Sequence, residues 1–435
     1  MTVTCEIEFD NNPHGTYFGG QVLTGRVTLK LDKVKLVKAV TLNINGYSET
    51  RWRERTTGST RRRRAQHTFY GREDYIASKT FLVGSNLSSQ CSIEPGIHVY
   101  NFACQIPTEC PSSFEGTHGR VRYMTNVTLV RPWKFDQNYT RCFTVLKVMD
   151  LNFDSPLLRV PAHSETSKTY CCWPCTSDPL ALQLTLPQTG FVPGQNVPLS
   201  VLVTNDSHIP VEQLMVTLVM LVTYHSKPPS MPNSTFERFT LSTVKGDPVS
   251  RNCKKLFNYE LRVPATPPTC FNLCGIIQIA YQVEVEAQVK GCHTNEQVSV
   301  PLTIGSVPLS QHVHIQPRGM PQQPLDVQGL ASAPPVDPAS PWAVDDTIPP
   351  PNYQEAIHMR SAASTSKTDD PDDDLEPVPP NTLNPDGSVY KPLYPVFDIP
   401  SPTVPPPSDW TQNYMAERAF VNPAADTDKD KGTWL

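Results

Sequence analysis

Through residues 1–305, apolar and polar positions alternate again and again with a period of two. The segment "AYQVEVEAQV" shows it most plainly: Val283, Val285, Ala287 and Val289 fall on one side, Glu284, Glu286 and Gln288 on the other. In "VLTGRVTLKL", Val22, Gly25, Val27, Leu29 and Leu31 stand against polar neighbours, and "VKAVTLNINGY" and "RYMTNVTLV" behave alike. Successive side chains of a strand leave opposite faces, so this alternation predicts half-buried antiparallel strands. No long stretch carries an apolar stripe at helical spacing. Gly, Pro, Asn and Asp interrupt the pattern at short intervals, as in an all-β sandwich.

The plan occurs twice. "FGGQVLTGRVTLKL" (18–31) parallels "VPGQNVPLSVLVTN" (192–205), with Gly20-Gln21 matching Gly194-Gln195. "IPTECPSSFEGTHGRVRYMTNVTL" (106–129) parallels "VPATPPTCFNLCGIIQIAYQVEV" (263–285), matching Ile106-Pro107 to Val263-Pro264, Phe114 to Phe271 and Gly119 to Gly275. Two copies of one strand order predict tandem β-sandwiches. The expected division is an N-domain at 1–155, a connector at 156–178, a C-domain at 179–309 and a tail at 310–435.

From about Ser310 onward the alternation stops, and here composition changes the picture. Residues 311–435 hold 23 of the 45 prolines, and 7 Lys/Arg against 18 Asp/Glu give them a net charge of −11. Residues 1–150 carry 20 Lys/Arg against 13 Asp/Glu, or +7, so the overall −5 hides a basic front and an acidic end. Proline- and aspartate-rich sequence with few apolar residues buries too little surface to offset its ordering entropy, and the tail is expected to be disordered.

Within that tail lies "PPNY", Pro350-Pro351-Asn352-Tyr353. Two prolines restrain φ, and the segment samples the polyproline II helix before it binds anything. A WW domain offers an aromatic groove for such a helix; Asn352 is the spacer and Tyr353 supplies a ring and a hydroxyl for the next pocket. A degenerate second candidate, Pro392-Leu393-Tyr394, has Lys391 where the first proline belongs. The two tyrosines are 41 residues apart. A random-coil span of roughly 35 Å then lets both engage one multi-WW partner.

Other features point away from catalysis. There is no phosphate loop, no GxSxG elbow and no HExxH pair, and His98, His118, His208 and His225 sit in strand-like segments where a structural role is expected. No residue pattern in the sequence points to a catalytic residue, metal or cofactor. The basic run Arg61-Arg62-Arg63-Arg64, between two strand-like segments, suits acidic or phosphorylated client tails or anionic lipid; a solvated loop and an import signal are the other readings. Negative net charge and the lack of a binding motif argue against nucleic acid. Cys171, Cys172 and Cys175 of "CCWPC" leave packing, lipid attachment and half a zinc site open, with no second ligand pair at finger spacing. The opening "MTVTCEIEFDNN" has no apolar leader core, and the most apolar run, Val211–Tyr224, is too short and polar to span a bilayer.

"PGIHVYNFACQIP", "PSSFEGTHGRVRY", "LVRPW", "FTVLKVMDLN" and "PLTIGSVPL" resemble signature segments of the arrestin domain-containing proteins, the α-arrestins, over essentially all of residues 1–310. The likeness is to the animal branch that includes arrestin domain-containing proteins two, three and four. It implies two tandem arrestin-like immunoglobulin-type β-sandwich domains followed by a disordered Pro-rich C-terminal tail. It also implies an adaptor, not an enzyme. Through its PPxY motif such a protein recruits WW-domain HECT-type ubiquitin ligases to membrane receptors or transporters, promoting their ubiquitination, endocytosis and endosomal sorting. It would work in the cytoplasm, peripherally at the plasma membrane and endosomes. Two alternatives remain open: a ligase-independent coat or retromer-like trafficking subunit, and a thiol-redox-linked metabolic regulator.

Overall fold

The computed structural model describes residues 3–10, 12, 14–56, 65–85, 90–172, 175–176, 178–310, 350–356 and 389–399, with the backbone alone at 55–56, 65–66, 171–172 and 175–176. The N-domain runs through β1 (Val3–Phe9), β2 (Thr16–Phe18), β3 (Val22–Leu31), β4 (Lys35–Val37), β5 (Ala39–Thr56), β6 (Ala65–Gly84), β7 (Cys91–Ile93), β8 (Gly96–Gln105), β9 (Phe114–Glu115), β10 (Gly119–Val130) and β11 (Gln137–Leu146). One sheet has the order β1-β3-β8; the other is β2-β11-β10-β5-β6, with β9 beside β10.

A 3-10 turn at Pro156–Arg159 leads to the C-domain: β12 (Ala162–Lys168), β13 (Cys171–Cys172), β14 (Cys175–Thr176), β15 (Leu180–Leu186), β16 (Gly190–Phe191), β17 (Asn196–Asn205), β18 (Val211–His225), β19 (Ser234–Gly246), β20 (Cys253–Arg262), β21 (Ile277–Val289) and β22 (Glu296–Ile304). Its sheets are β12-β15-β17-β20 and β16-β22-β21-β18-β19. Ala162–Lys168 lies within the expected connector, yet it pairs along its length with β15 as an edge strand of the C-domain. The apolar run from Val211 is the strand β18, paired with β19 on one side and β21 on the other.

Alternation places side chains much as the sequence implies. Val283, Val285, Ala287 and Val289 are buried, as are Val27, Leu29 and Leu31. A fully buried aliphatic side chain of this kind contributes about 1.5–3 kcal/mol. Val22 is an exception: it is 49% exposed, and Leu23 takes the inward position. With Gly25 inward, the true phase of β3 runs 23, 25, 27, 29, 31, and Val22 belongs to the other face.

The internal repeat is a repeat of hydrogen bonds. Gly20 and Gly194 turn the chain at φ +92° and +97°, a region that favours glycine. In each turn the glutamine side chain accepts a backbone N–H three residues back, Phe18 N to Gln21 Oε1 at 2.8 Å and Val192 N to Gln195 Oε1 at 2.9 Å. The backbones also exchange bonds with Ile106 and with Val263. Farther on, Ser113 Oγ accepts from Val145 N and Thr269 Oγ1 from Ile304 N, both at 2.9 Å. Tyr123 donates to Pro111 O at 2.7 Å and Tyr281 to Pro267 O at 2.6 Å. These bonds make Ser113 equivalent to Thr269, so Phe114 corresponds to Cys270 rather than to Phe271. Phe114 is fully buried and Phe271 is 54% exposed.

The domains meet where β5, β6 and the Gly116–Gly119 turn face the end of β18. Thr50 Oγ1 donates to His225 O at 2.8 Å, and Lys227 N to Tyr70 O at 3.0 Å. Thr117 and Tyr224 both donate to the buried Glu237 carboxylate, at 2.6 and 3.0 Å. Glu73 is gripped by Lys227, by Gly275 N at 3.0 Å and by Tyr75 OH at 2.9 Å. Burial opposes the charge on Glu73, but these three donors outweigh it and hold the carboxyl below its ordinary range.

Candidate functional site

Two pieces of the tail form a hairpin-like pair, β23 (Asn352–Glu355) and β24 (Leu393–Val396). Asn352 lies opposite Val396, Tyr353 opposite Pro395, Gln354 opposite Tyr394 and Glu355 opposite Leu393. Lys391 closes on Glu355 at 3.0 Å. A two-stranded sheet by itself is marginal in water, so its order comes from the surface beneath it.

That surface spans both domains. Tyr390 is buried against Met124 and Cys142, with Tyr47 alongside, and its hydroxyl donates to Phe143 O at 2.9 Å. Leu393 N donates to Thr144 Oγ1 at 3.2 Å. Tyr394 is fully buried in the main core, and its hydroxyl donates to Ser113 O at 2.8 Å. Phe397, also fully buried, joins Leu151, Leu158 and Val192, and its N–H donates to Pro193 O at 2.9 Å. Each buried hydroxyl has found a carbonyl, as it must if burial is not to cost more than it returns. Gly194 lets this happen: a Cβ there would stand 2.1 Å from Phe397 O.

The PPNY segment leads into the outer strand of this pair, with Asn352 and Tyr353 in β23 and the two prolines before it. Pro350 and Asn352 are exposed, Pro351 is half-buried, and Tyr353 is half-buried. Its ring stacks on His14 with centroids 5.5 Å apart and planes at 25°, and burial pushes its hydroxyl up to about 12. The prolines therefore offer a surface while the tyrosine ring is laid against the N-domain.

Within the described segments this arrangement differs from two freely displayed motifs. Residues 350–356 and 389–399 are paired and packed, and the rest of the tail lies outside the described residues. Pro392-Leu393-Tyr394, read as a second WW ligand, has Pro392 buried and Tyr394 fully enclosed. It is an anchor of the tail on the body. The motif pattern could not reveal this; the density of large apolar groups over 389–397 (Val389, Tyr390, Leu393, Tyr394, Val396, Phe397) is the signal that does, because a polar tail retains such a cluster only if something covers it.

The other candidates are placed less fully. β5 and β6 pair out to Thr56 and Ala65, but Arg61, Arg62, Arg63 and Arg64 lie outside the described residues. Cys172 pairs with Cys175 through the backbone of β13 and β14, while the side chains of Cys171, Cys172 and Cys175 lie outside the described residues too. Among the described residues no three His, Cys, Asp or Glu converge on a metal-sized site. His98 contacts Glu94 O at 2.8 Å and His118 packs edge-on to Tyr224.

Sequence reasoning missed one ion pair near the tail anchor, between a buried arginine and a half-buried glutamate. Arg122, 2% exposed, grips Glu115 with two bonds of 2.8 and 2.6 Å. Fork-to-fork pairing of this kind fixes both side chains.

The fold of the two domains agrees with the comparisons. Residues 5–152 match the family model for the Arrestin (or S-antigen) N-terminal domain and residues 176–309 that for the C-terminal domain. The chain belongs to the arrestin family. It is 28% identical over 310 residues to Arrestin domain-containing protein 17 of Caenorhabditis elegans, covering 69% of this chain and 70% of that one. It is 23% identical over 355 residues to mouse Arrestin domain-containing protein 4, covering 80% of each. Mouse Thioredoxin-interacting protein is 24% identical over 301 residues, covering 68% of this chain and 72% of the relative. This arrestin thus groups with the arrestin domain-containing proteins, the α-arrestins, and is an arrestin-type trafficking adaptor.

Proposed function

We propose that this arrestin recruits WW-domain HECT-type ubiquitin ligases through Pro350-Pro351-Asn352-Tyr353 and holds them beside membrane receptors or transporters bound by its β-sandwich body. Ubiquitination, endocytosis and endosomal sorting of the client follow from proximity, since tethering raises the local concentration of client lysines. Work at the cytoplasmic side of the plasma membrane and endosomes belongs to the same reading.

The observation that carries it is the position of PPNY: two prolines at the outer edge of the tail pair, with the tyrosine ring stacked on His14 and half-buried against the body rather than enclosed. A WW groove needs that ring, so ligase binding and the stacking on His14 exclude each other. Release costs free energy and lowers the apparent affinity of the intact chain, while Tyr390, Tyr394 and Phe397 set how large the cost is.

Proximity labelling in cells tests the recruitment. With Tyr353→Ala, ligase peptides disappear from the labelled set while client peptides persist. Undiminished ligase labelling in that variant overturns the reading.

A second reading draws on the relative named Thioredoxin-interacting protein: capture of a thioredoxin-like protein through a cysteine. Among the described cysteines only Cys292 is exposed. Burial pushes the thiols of Cys5 and Cys142 up to about 12 and about 11, away from the reactive thiolate. Mixed-disulfide trapping that is lost in Cys292→Ser would favour this reading over the first.

A further inference from the structure

At the end of the N-domain away from the C-domain, two neighbouring loops present apolar side chains that nothing in the described residues covers. The β10–β11 loop reads Arg131-Pro132-Trp133-Lys134-Phe135-Asp136, with Trp133 98% and Phe135 93% exposed. The loop around β4 adds Val34 and Leu36, both more than half exposed. Lys38 N donates to Val130 O at 2.8 Å, and Lys35 Nζ reaches Gln137 Oε1 at 3.3 Å, so the two loops form one tip.

This exposure is built, not slack. Arg131 folds back, its Nε donating to Phe135 O at 2.7 Å and its backbone N–H to Asp136 Oδ1 at 3.1 Å. Trp133 is held at φ +58°, a conformation that a bulky residue adopts only when its surroundings impose it. The result is two rings pointed into solvent on a closed loop.

Charge surrounds them. Lys33, Lys35, Lys38, Arg131 and Lys134 face only Asp32 and Asp136 across 31–38 and 131–136, a net of +3. Burial, and then repulsion from Arg131 and Lys134, holds the Lys35 ammonium below its ordinary value, which shows how closely the cations crowd.

We propose that this tip is a lipid-contact site that seats Trp133 and Phe135 in the interfacial zone of a bilayer with anionic headgroups. Tryptophan is favoured at the membrane–water boundary, where its ring is apolar and its N–H stays wet. Lysine and arginine around the insertion are drawn to acidic headgroups. Rings 98% and 93% exposed can enter a fluid surface without a shaped pocket to receive them. The site goes beyond ligase recruitment and does not depend on it.

The test is partition of the full chain onto vesicles of phosphatidylcholine with and without a quarter phosphatidylserine. Wild type binds the anionic vesicles. Trp133→Ala with Phe135→Ala lowers the partition about tenfold or more, the loss expected for two rings withdrawn from the interface. Its thermal unfolding should be unchanged, because both side chains are exposed and the Phe135 carbonyl that Arg131 holds is retained. Lys35→Glu with Lys134→Glu lowers binding to anionic vesicles only. Brominated lipid quenches wild type more than Trp133→Phe, and that difference isolates Trp133 from the other tryptophans. Absence of wild-type binding would assign the tip to a protein partner and overturn the proposal. So would a double-alanine variant that binds as well as wild type, or identical quenching of the two proteins.

Discussion

Tyr353 and Tyr394 show how far one residue type depends on what lies beneath it. Both stand two residues after a proline in a proline-rich tail, and the sequence alone presents them as a strong and a weak copy of one ligand. The structure separates them: Tyr353 stacks on one imidazole, whereas Tyr394 is enclosed with its hydroxyl on Ser113 O. Local motif reading sees the chain neighbours of each tyrosine and not the cavity that receives one of them. Arg122 was illegible for a related reason, since alternation assigns it to a strand face without saying that Glu115 waits there. Its removal leaves the half-buried Glu115 carboxylate without its guanidinium, so Arg122→Ala should cost about 1–3 kcal/mol in denaturant unfolding. Replacing both partners by apolar residues of similar volume should cost far less. Equal losses for the two variants would show that the pair is incidental.

At the scale of elements, the strands and the tandem plan were legible because one rule, side chains alternating between a wet and a dry face, governs both. Val22 is a matter of parity, since β3 pairs without a register shift and residues 22 and 25 fall on opposite faces; the pairing of Phe114 with Phe271 turned on where a deletion falls, and the hydrogen bonds of Ser113 and Thr269 decide it. Gly20 and Gly194, matched from the sequence, occupy the same turn, but only the latter lies under the tail. Both positions carry positive φ, so alanine at either should cost about 1 kcal/mol or more through backbone strain. Gly194→Ala should also expel Phe397, because the new Cβ meets its carbonyl, whereas the contact at Gly20 is with the Thr108 methyl at 3.1 Å. Hydrogen exchange checks this: residues 389–399 lose protection in Gly194→Ala and keep it in Gly20→Ala.

Across the whole molecule, the tail and the Glu73 cluster both tie the domains together, and neither tie could be read from sequence, because each joins residues more than 150 positions apart. Glu73 has its carboxyl held below the ordinary value, so the stability it contributes is present above the unfolded pKa and is lost as pH falls through the lowered folded one. Thermal scans should therefore show the domains uncoupling on acidification below about pH 4.5, and Glu73→Gln should remove much of that pH dependence. A pH dependence unchanged in Glu73→Gln would place the acid sensitivity elsewhere.

The central claim is that PPNY serves a WW domain only when it leaves the body. It is tested most directly by titrating a WW domain into the full chain, into its Tyr394→Ala variant and into a peptide of residues 348–357. The account predicts that variant and peptide bind about tenfold or more tighter than the intact chain, the factor expected when nine chains in ten are docked. Equal affinity in all three, or no binding to the peptide, would contradict it.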